Sequence, residues 1–196
     1  MPVDVEAHDL PLLGERPAVE LANSLYEGEE VADALADPAI AQAWVEAVAA
    51  GEGWDPPAPH SPPDVAALRG LRDAVRVLLL AVVHGRPPDP AAHAAAVRTL
   101  NDDAAAATRV VALDWPSGGT PRATAAVTGA GPAVLRCALA GDAIALLTGE
   151  DRLRLRRCAN PPCPMVFVAQ HGRRRFCHPG CSHAVRQDRY RRRRGS

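Results

Sequence analysis

The chain has 196 residues, of which 47% are hydrophobic and only 4% aromatic, and its formal net charge is −1. That length and apolar content suit one ordinary domain with a small appendage, built mostly on Ala, Leu and Val, and exclude wholesale disorder. No apolar run reaches the length of a membrane helix, and the acidic start MPVDVEAHDL lacks the basic and apolar regions of a secretory signal, so a cytoplasmic protein with no membrane partner is expected.

In chain order, LPLLGERPAVELANSLY opens with a turn at Gly14–Pro17 and continues as a predicted helix from Pro17 to Tyr26. DPAIAQAWVEAVAAG is a clearer helix. Asp37 can cap it, Pro38 suits its first position, Gly51 follows its end, and Ile40, Ala43, Trp44, Ala47 and Val48 form its apolar stripe. WDPPAPHSPPD, with five prolines, reads as a rigid extended linker. Asp64 then caps a long helix whose apolar stripe is Val65, Leu68, Leu71, Val75, Leu78, Leu79 and Val82, with Arg69, Arg72 and Arg76 as a solvated stripe opposite. A further helix starts at Asp89-Pro90. RVVALDW and RATAAVT flank PSGGT, which predicts a β-hairpin near residues 109–128. From Pro132 the helical spacing returns, and Cys137 within it reads as a buried structural thiol.

The composition changes near Asp151, which divides the chain into a helical domain, 1–151, and a tail, 152–196. All 22 basic residues are arginine. Thirteen lie in the tail against one acid, Asp188, a formal +12; the other nine face 22 acids in residues 1–151, a formal −13. A basic tail on an acidic body is the footprint of a polyanion binder.

The tail also holds four of the five cysteines, spaced Cys158-x4-Cys163-x13-Cys177-x3-Cys181. In a reducing compartment, two close pairs read as ligands of one structural Zn²⁺ per chain, because tetrahedral zinc accepts four thiolates. The turn CANPPC aims the first pair. MVFV and RRRF then form the two strands of a hairpin, and Cys177 and Cys181 share a face at the start of a final helix. The predicted fold is therefore mainly α with a small β-hairpin, ending in a treble-clef-like four-cysteine finger. A closed four-sulfur shell leaves no open position for catalysis. Arg156, Arg157 and Arg175 would stabilise the thiolates. Ala184 and Val185 would face inward, while Arg186, Arg189 and Arg193 project together and Arg173 and Arg174 add to them as candidate contacts to double-stranded DNA.

At these residues the sequence resembles the CGNR zinc finger family, bacterial proteins that join a helical ABATE domain to a four-cysteine finger. LLGERPAVELANSLY, ALRGLRDAVRVLL and TLND resemble the helical part; RRCANPPCPMVFV and RRRFCHPGCSHAVRQDRYRRRR resemble the finger. The resemblance implies a stress-responsive transcriptional regulator that binds DNA. The Gly-Asn-Arg that names the family is replaced here by Ser182, His183 and Ala184, and Ala169 stands where an aspartate is common. Either Arg186 or Arg189 takes over the contacts of that signature, or sequence preference is weak.

The helical domain is then expected to sense a small-molecule effector or to form a homodimer. Glu20, Asn23, Arg69, Arg72 and Asn101 are the candidate pocket residues, with buried hydrogen-bonding networks as the competing reading. A zinc-stabilised RNA or protein adaptor, and a small-molecule-binding enzyme, are the alternatives. No pairing of nucleophile and base is apparent, so catalysis is not expected.

Overall fold

The structure is a computed structural model that describes residues 12–27, 31–36, 38–52, 62–86, 88–129 and 131–194. The expected Asp37 cap and residues 54–61 of the proline-rich stretch lie outside these residues. Among them, six helices and three two-stranded antiparallel sheets follow in the order α1 (Pro17–Asn23), β1 (Leu25–Glu27), β2 (Val31–Asp33), α2 (Pro38–Glu52), α3 (Pro62–His84), α4 (Pro90–Ala104), β3 (Thr108–Asp114), β4 (Arg122–Thr128), α5 (Pro132–Thr148), a 3-10 turn (Glu150–Arg154), β5 (Leu155–Arg157), β6 (Val166–Val168) and α6 (Pro179–Arg194).

α3 is the axis of the body. Its predicted apolar positions Val65, Leu68, Leu71, Val75, Leu78 and Leu79 are all buried, and they meet α1, α4 and α5. The core joins them to Val19 and Leu21 of α1, Leu100 of α4, and Leu135, Leu139 and Leu146 of α5. α3 begins at Pro62, earlier than the sequence implied, so Pro62, Pro63 and Asp64 form its first turn rather than the end of a linker. Proline needs no N–H partner there.

α1 is shorter than expected. It ends at Asn23 because the Ser24 hydroxyl turns back to donate to the Leu21 carbonyl, and the chain enters β1 instead of continuing to Tyr26. The β1–β2 hairpin was not foreseen, and it corrects the reading of the arginine stripe as solvated. Arg72 is buried and pairs with Asp33 of β2 at 2.6 Å and with Asp73; Arg76 donates to the Leu25 carbonyl at 2.9 Å. These arginines fasten the hairpin onto α3. The start of α1 is held from a distance as well. Asp142 of α5 accepts from the Ala18 N–H and from the Arg16 guanidinium, so one carboxylate both caps α1 and ties it to α5.

The predicted hairpin at 109–128 is present as β3 and β4, paired over their full length from Thr108–Thr128 to Asp114–Arg122. Gly118, at a φ of +76°, supplies the left-handed residue its loop requires. Cys137 is buried as expected, its thiol directed to the Ala104 and Ala107 carbonyls.

The junction between the body and the cysteine-bearing tail rests on β6. The inner edge of β6 pairs with β5, and its outer edge is completed by side chains of the body. Asn23 donates to the Val166 carbonyl at 2.9 Å and accepts from the Val166 N–H at 3.0 Å. Glu15 accepts from the Val168 N–H at 3.0 Å. One asparagine amide thus stands in for the peptide of a third strand. Leu155 and Val166 complete the attachment by entering the core of the body. Asn23→Ala should therefore cost about 2–4 kcal/mol, because it leaves a buried N–H and a buried carbonyl unpaired. Chemical denaturation measures this directly, and a loss below about 0.5 kcal/mol would contradict the assignment.

Candidate metal centre and nucleic-acid interface

Three local structures bring the cysteine sulfurs together. Cys158 follows β5, and its N–H bonds to the Met165 carbonyl. The turn through Asn160-Pro161-Pro162 is closed by the Cys163 N–H to the Asn160 carbonyl at 2.9 Å, which points both sulfurs of the first pair the same way. Cys177 lies in the loop before α6, and Cys181 lies in its first turn, where its N–H bonds to the His178 carbonyl. The four Sγ atoms lie within 4.8 Å of one another, with Cys163–Cys177 and Cys177–Cys181 both at 3.7 Å.

Those separations identify the chemistry. A tetrahedron of sulfurs about 2.3 Å from a central zinc has edges of about 3.8 Å, whereas a disulfide would need about 2.05 Å. The four cysteines fit one structural zinc ion. Hydrogen bonding within the cluster shifts its thiols in opposite directions. Hydrogen bonds from Cys163 and Cys177 pull the Cys158 thiol down to about 2. Donating to that thiolate holds Cys163 up at about 12 and pushes Cys177 up in the same direction. A dication supplies the charge that lets the remaining protons leave. Around the sulfurs, Met165, Phe167 and Ala169 are buried, with Leu13, Tyr26 and Phe176 packed beside them.

Two expectations for the finger are corrected. RRRF, residues 173–176, does not form the second strand; β6 pairs with β5 instead, and the Arg175 carbonyl accepts from the Ala159 N–H in the turn of the first cysteine pair. The reason is that β5, before the first cysteine, already occupies the inner edge of β6. α6 buries no residue, so Ala184 is exposed rather than inward, and Val185 is only half-buried.

The candidate DNA-contacting arginines divide. Arg173, Arg186, Arg189 and Arg193 are exposed. Arg174 is not available as the sequence implied. It pairs with Glu15 at 2.8 Å, stacks on the Phe167 ring at 4.6 Å, and donates to the Val168 and Cys177 carbonyls. It is a brace between the body, β6 and the second cysteine pair. Arg156, expected beside the thiolates, donates to the Leu153 and Leu155 carbonyls. A groove at the start of α6 is lined by His171, Arg173, Arg175, His178 and Ser182.

The five candidate pocket residues do not converge. Glu20 accepts from the Leu13 and Glu15 N–H groups, Asn23 completes β6, and Arg72 holds Asp33. Arg69 is half-buried on α3, and Asn101 is exposed on α4. Three of the five are consumed in separate hydrogen-bonding networks, because each carries a backbone or an ionic partner that an isolated helix cannot reveal. Sequence reasoning missed Glu15, Arg16, Asp33 and Asp142, whose partners lie far away in the chain. The LLGERP turn, which sets Glu15 just before α1, was the available sign for it.

The family model described as "Putative stress-induced transcription regulator", ABATE, matches residues 15–150, and the CGNR zinc finger model matches residues 154–194. No curated protein matches the chain. Among the described residues, no helix is long and apolar enough to cross a membrane.

Two outcomes follow from the geometry. The purified protein should hold about one zinc per chain, and Cys163→Ser should lose it. Chelation should unfold the finger from about Arg157 onward and also lower the melting temperature of the body, since Asn23 and Glu15 lose their β6 partners. Elemental analysis and thermal melts test both; zinc retained by Cys163→Ser would mean a different ligand set. The second concerns Glu20, whose carboxyl burial pushes up from 4.5 to about 7 against the pull of the Glu15 and Leu13 N–H groups. The folded state therefore binds that proton more tightly than the unfolded chain. Its contribution is complete below pH 4.5 and is lost as pH rises through about 7, a change on the order of 3 kcal/mol. Glu20→Gln should lack this loss, so the stability difference between wild type and variant should change across that window. A pH-independent difference would contradict it.

Proposed function

Because the chain belongs to the ABATE family and carries that family's CGNR zinc finger, we propose that it is a cytoplasmic transcriptional regulator that binds duplex DNA through residues 152–196. The families it matches are of regulatory and zinc-finger type, not enzymes. The observation that carries the reading is α6, a 16-residue helix with no buried residue, started at the zinc site and rich in arginine. A helix of that length extends about 24 Å, and the major groove, about 12 Å wide, admits one.

Arg186, Arg189 and Arg193 recur at i, i+3 and i+7, so they share one face and address neighbouring phosphates or a guanine edge. Arg173 and Arg175 flank the groove at the start of α6 and extend the same basic surface. Arg174 is left out of this surface by its bond to Glu15. Arg192 pairs with Asp188 at 3.0 Å, and Arg194 stacks on Tyr190 at 4.7 Å. The acidic body repels phosphate and keeps the contact on the tail. An RNA adaptor is less well supported, since the finger offers few exposed aromatic rings for stacking unpaired bases.

If five to seven arginines reach phosphates, log K against log salt should fall with a slope of about −4.5 to −6 per monomer. Arg189→Ala with Arg193→Ala should flatten that slope by about 2, while Arg174→Ala should leave it nearly unchanged and lower stability instead. Anisotropy titrations of a labelled duplex across a salt series decide this. A slope unaffected by the double variant would remove α6 from the interface.

A further inference from the structure

The β3–β4 ribbon is the largest feature of the body that neither the metal centre nor the basic tail explains. Its root is anchored: the Arg109 guanidinium lies across Gly141 of α5 so closely that a Cβ there would stand 2.9 Å from Nη1. Beyond the root the ribbon leaves the core. On the face that Arg109 begins, Val111 is 64% exposed, Leu113 68%, and Trp115, just past the strand, 63%. Alternation along a strand places these three side by side. The Trp115 indole N–H donates to the Gly119 carbonyl at 3.2 Å across the ribbon's own loop, so the ring offers an apolar surface with its polar group already satisfied. A row of large apolar side chains of this kind marks an interaction site.

We propose that this face is the contact by which two copies of the chain associate, Val111, Leu113 and Trp115 of one ribbon packing on the same residues of the other about a two-fold axis. Charge points to a second copy. Residues 108–128 carry two arginines and one aspartate, inside a body whose formal charge is −13. The ribbon is a nearly neutral patch, so two such acidic bodies meet there with less repulsion than across their acidic surfaces, whereas a basic partner would be drawn to those surfaces. A polyanion is disfavoured, because Arg109 lies on α5 and Arg122 pairs with Asp114. Size also fits a modest self-association. Seven-residue strands make a ribbon about 24 Å long and roughly 10 Å wide, a footprint of about 240 Å² per copy, so pairing with its copy buries on the order of 500–800 Å² in total. That is smaller than a standard specific interface, so the association is weak and reversible.

Sedimentation equilibrium of the full zinc-loaded chain, from about 1 to 100 µM, reads the outcome. The proposal expects a monomer–dimer equilibrium that added salt does not weaken. Val111→Thr with Leu113→Arg should weaken association at least about tenfold while leaving zinc content and the melting transition unchanged, as befits exposed positions. If that variant loses its melting transition, Leu113→Thr, which keeps a strand-forming residue, takes its place. A chain that stays monomeric at the highest concentration overturns the proposal and leaves the ribbon for an apolar surface of some other protein. A dimer that dissociates with salt and ignores the Leu113 substitution also overturns it, assigning association to the basic tail of one copy on the acidic body of another. The result is independent of whether the tail binds DNA.

Discussion

Everything at the C-terminal end of this molecule depends on holding four sulfurs within 4.8 Å of one another. The finger has a small apolar cluster, Met165, Phe167 and Ala169, and a final helix that buries nothing. A group this size cannot offset its own chain entropy by burial. A zinc ion bound by four thiolates supplies that energy, typically about 10–16 kcal/mol in such modules. It also sets the geometry, because a tetrahedron of ligands from a turn, a loop and a helix start fixes the direction in which the helix leaves.

The second constraint is the outer edge of β6. A two-stranded hairpin leaves a row of unpaired backbone groups on each side. Here the row is closed by Asn23, Glu15 and Arg174, so the finger docks on the body through hydrogen bonds as well as through Leu155 and Val166. Arg174 links three levels at once: it pairs with a body carboxylate, covers the Phe167 ring, and holds the carbonyl of a metal ligand. The metal centre and the body are thus mechanically joined, and the orientation of the basic helix relative to the body follows from that joint.

What was legible in the sequence was local. Cysteine spacing announced the metal centre, helical periodicity announced α2 to α5, and the glycine pair between two strand-like runs announced β3 and β4. What was not legible was long-range pairing. The Asn23–Val166 bonds span 143 residues and those of Arg16 with Asp142 span 126. Arg72 looked like a solvated residue because its partner, Asp33, sits on a hairpin too short to register as a pattern. The candidate pocket failed for the same reason: Glu20, Asn23 and Arg72 had partners that sequence proximity does not show. RRRF was read as a strand because nothing local revealed that β5 already filled the edge it would have taken.

If zinc aims the arginine helix at DNA, recognition depends on the fold of the finger as well as on its charge. The most direct test compares the affinity of the zinc-loaded and the zinc-free chain for a genome-selected duplex and for a random duplex at one salt concentration. The loaded protein should prefer the selected duplex by at least about tenfold, and removing zinc should erase the preference while leaving much of the electrostatic affinity in place. Equal affinity in all four measurements would contradict it, leaving the tail as a nonspecific run of arginines.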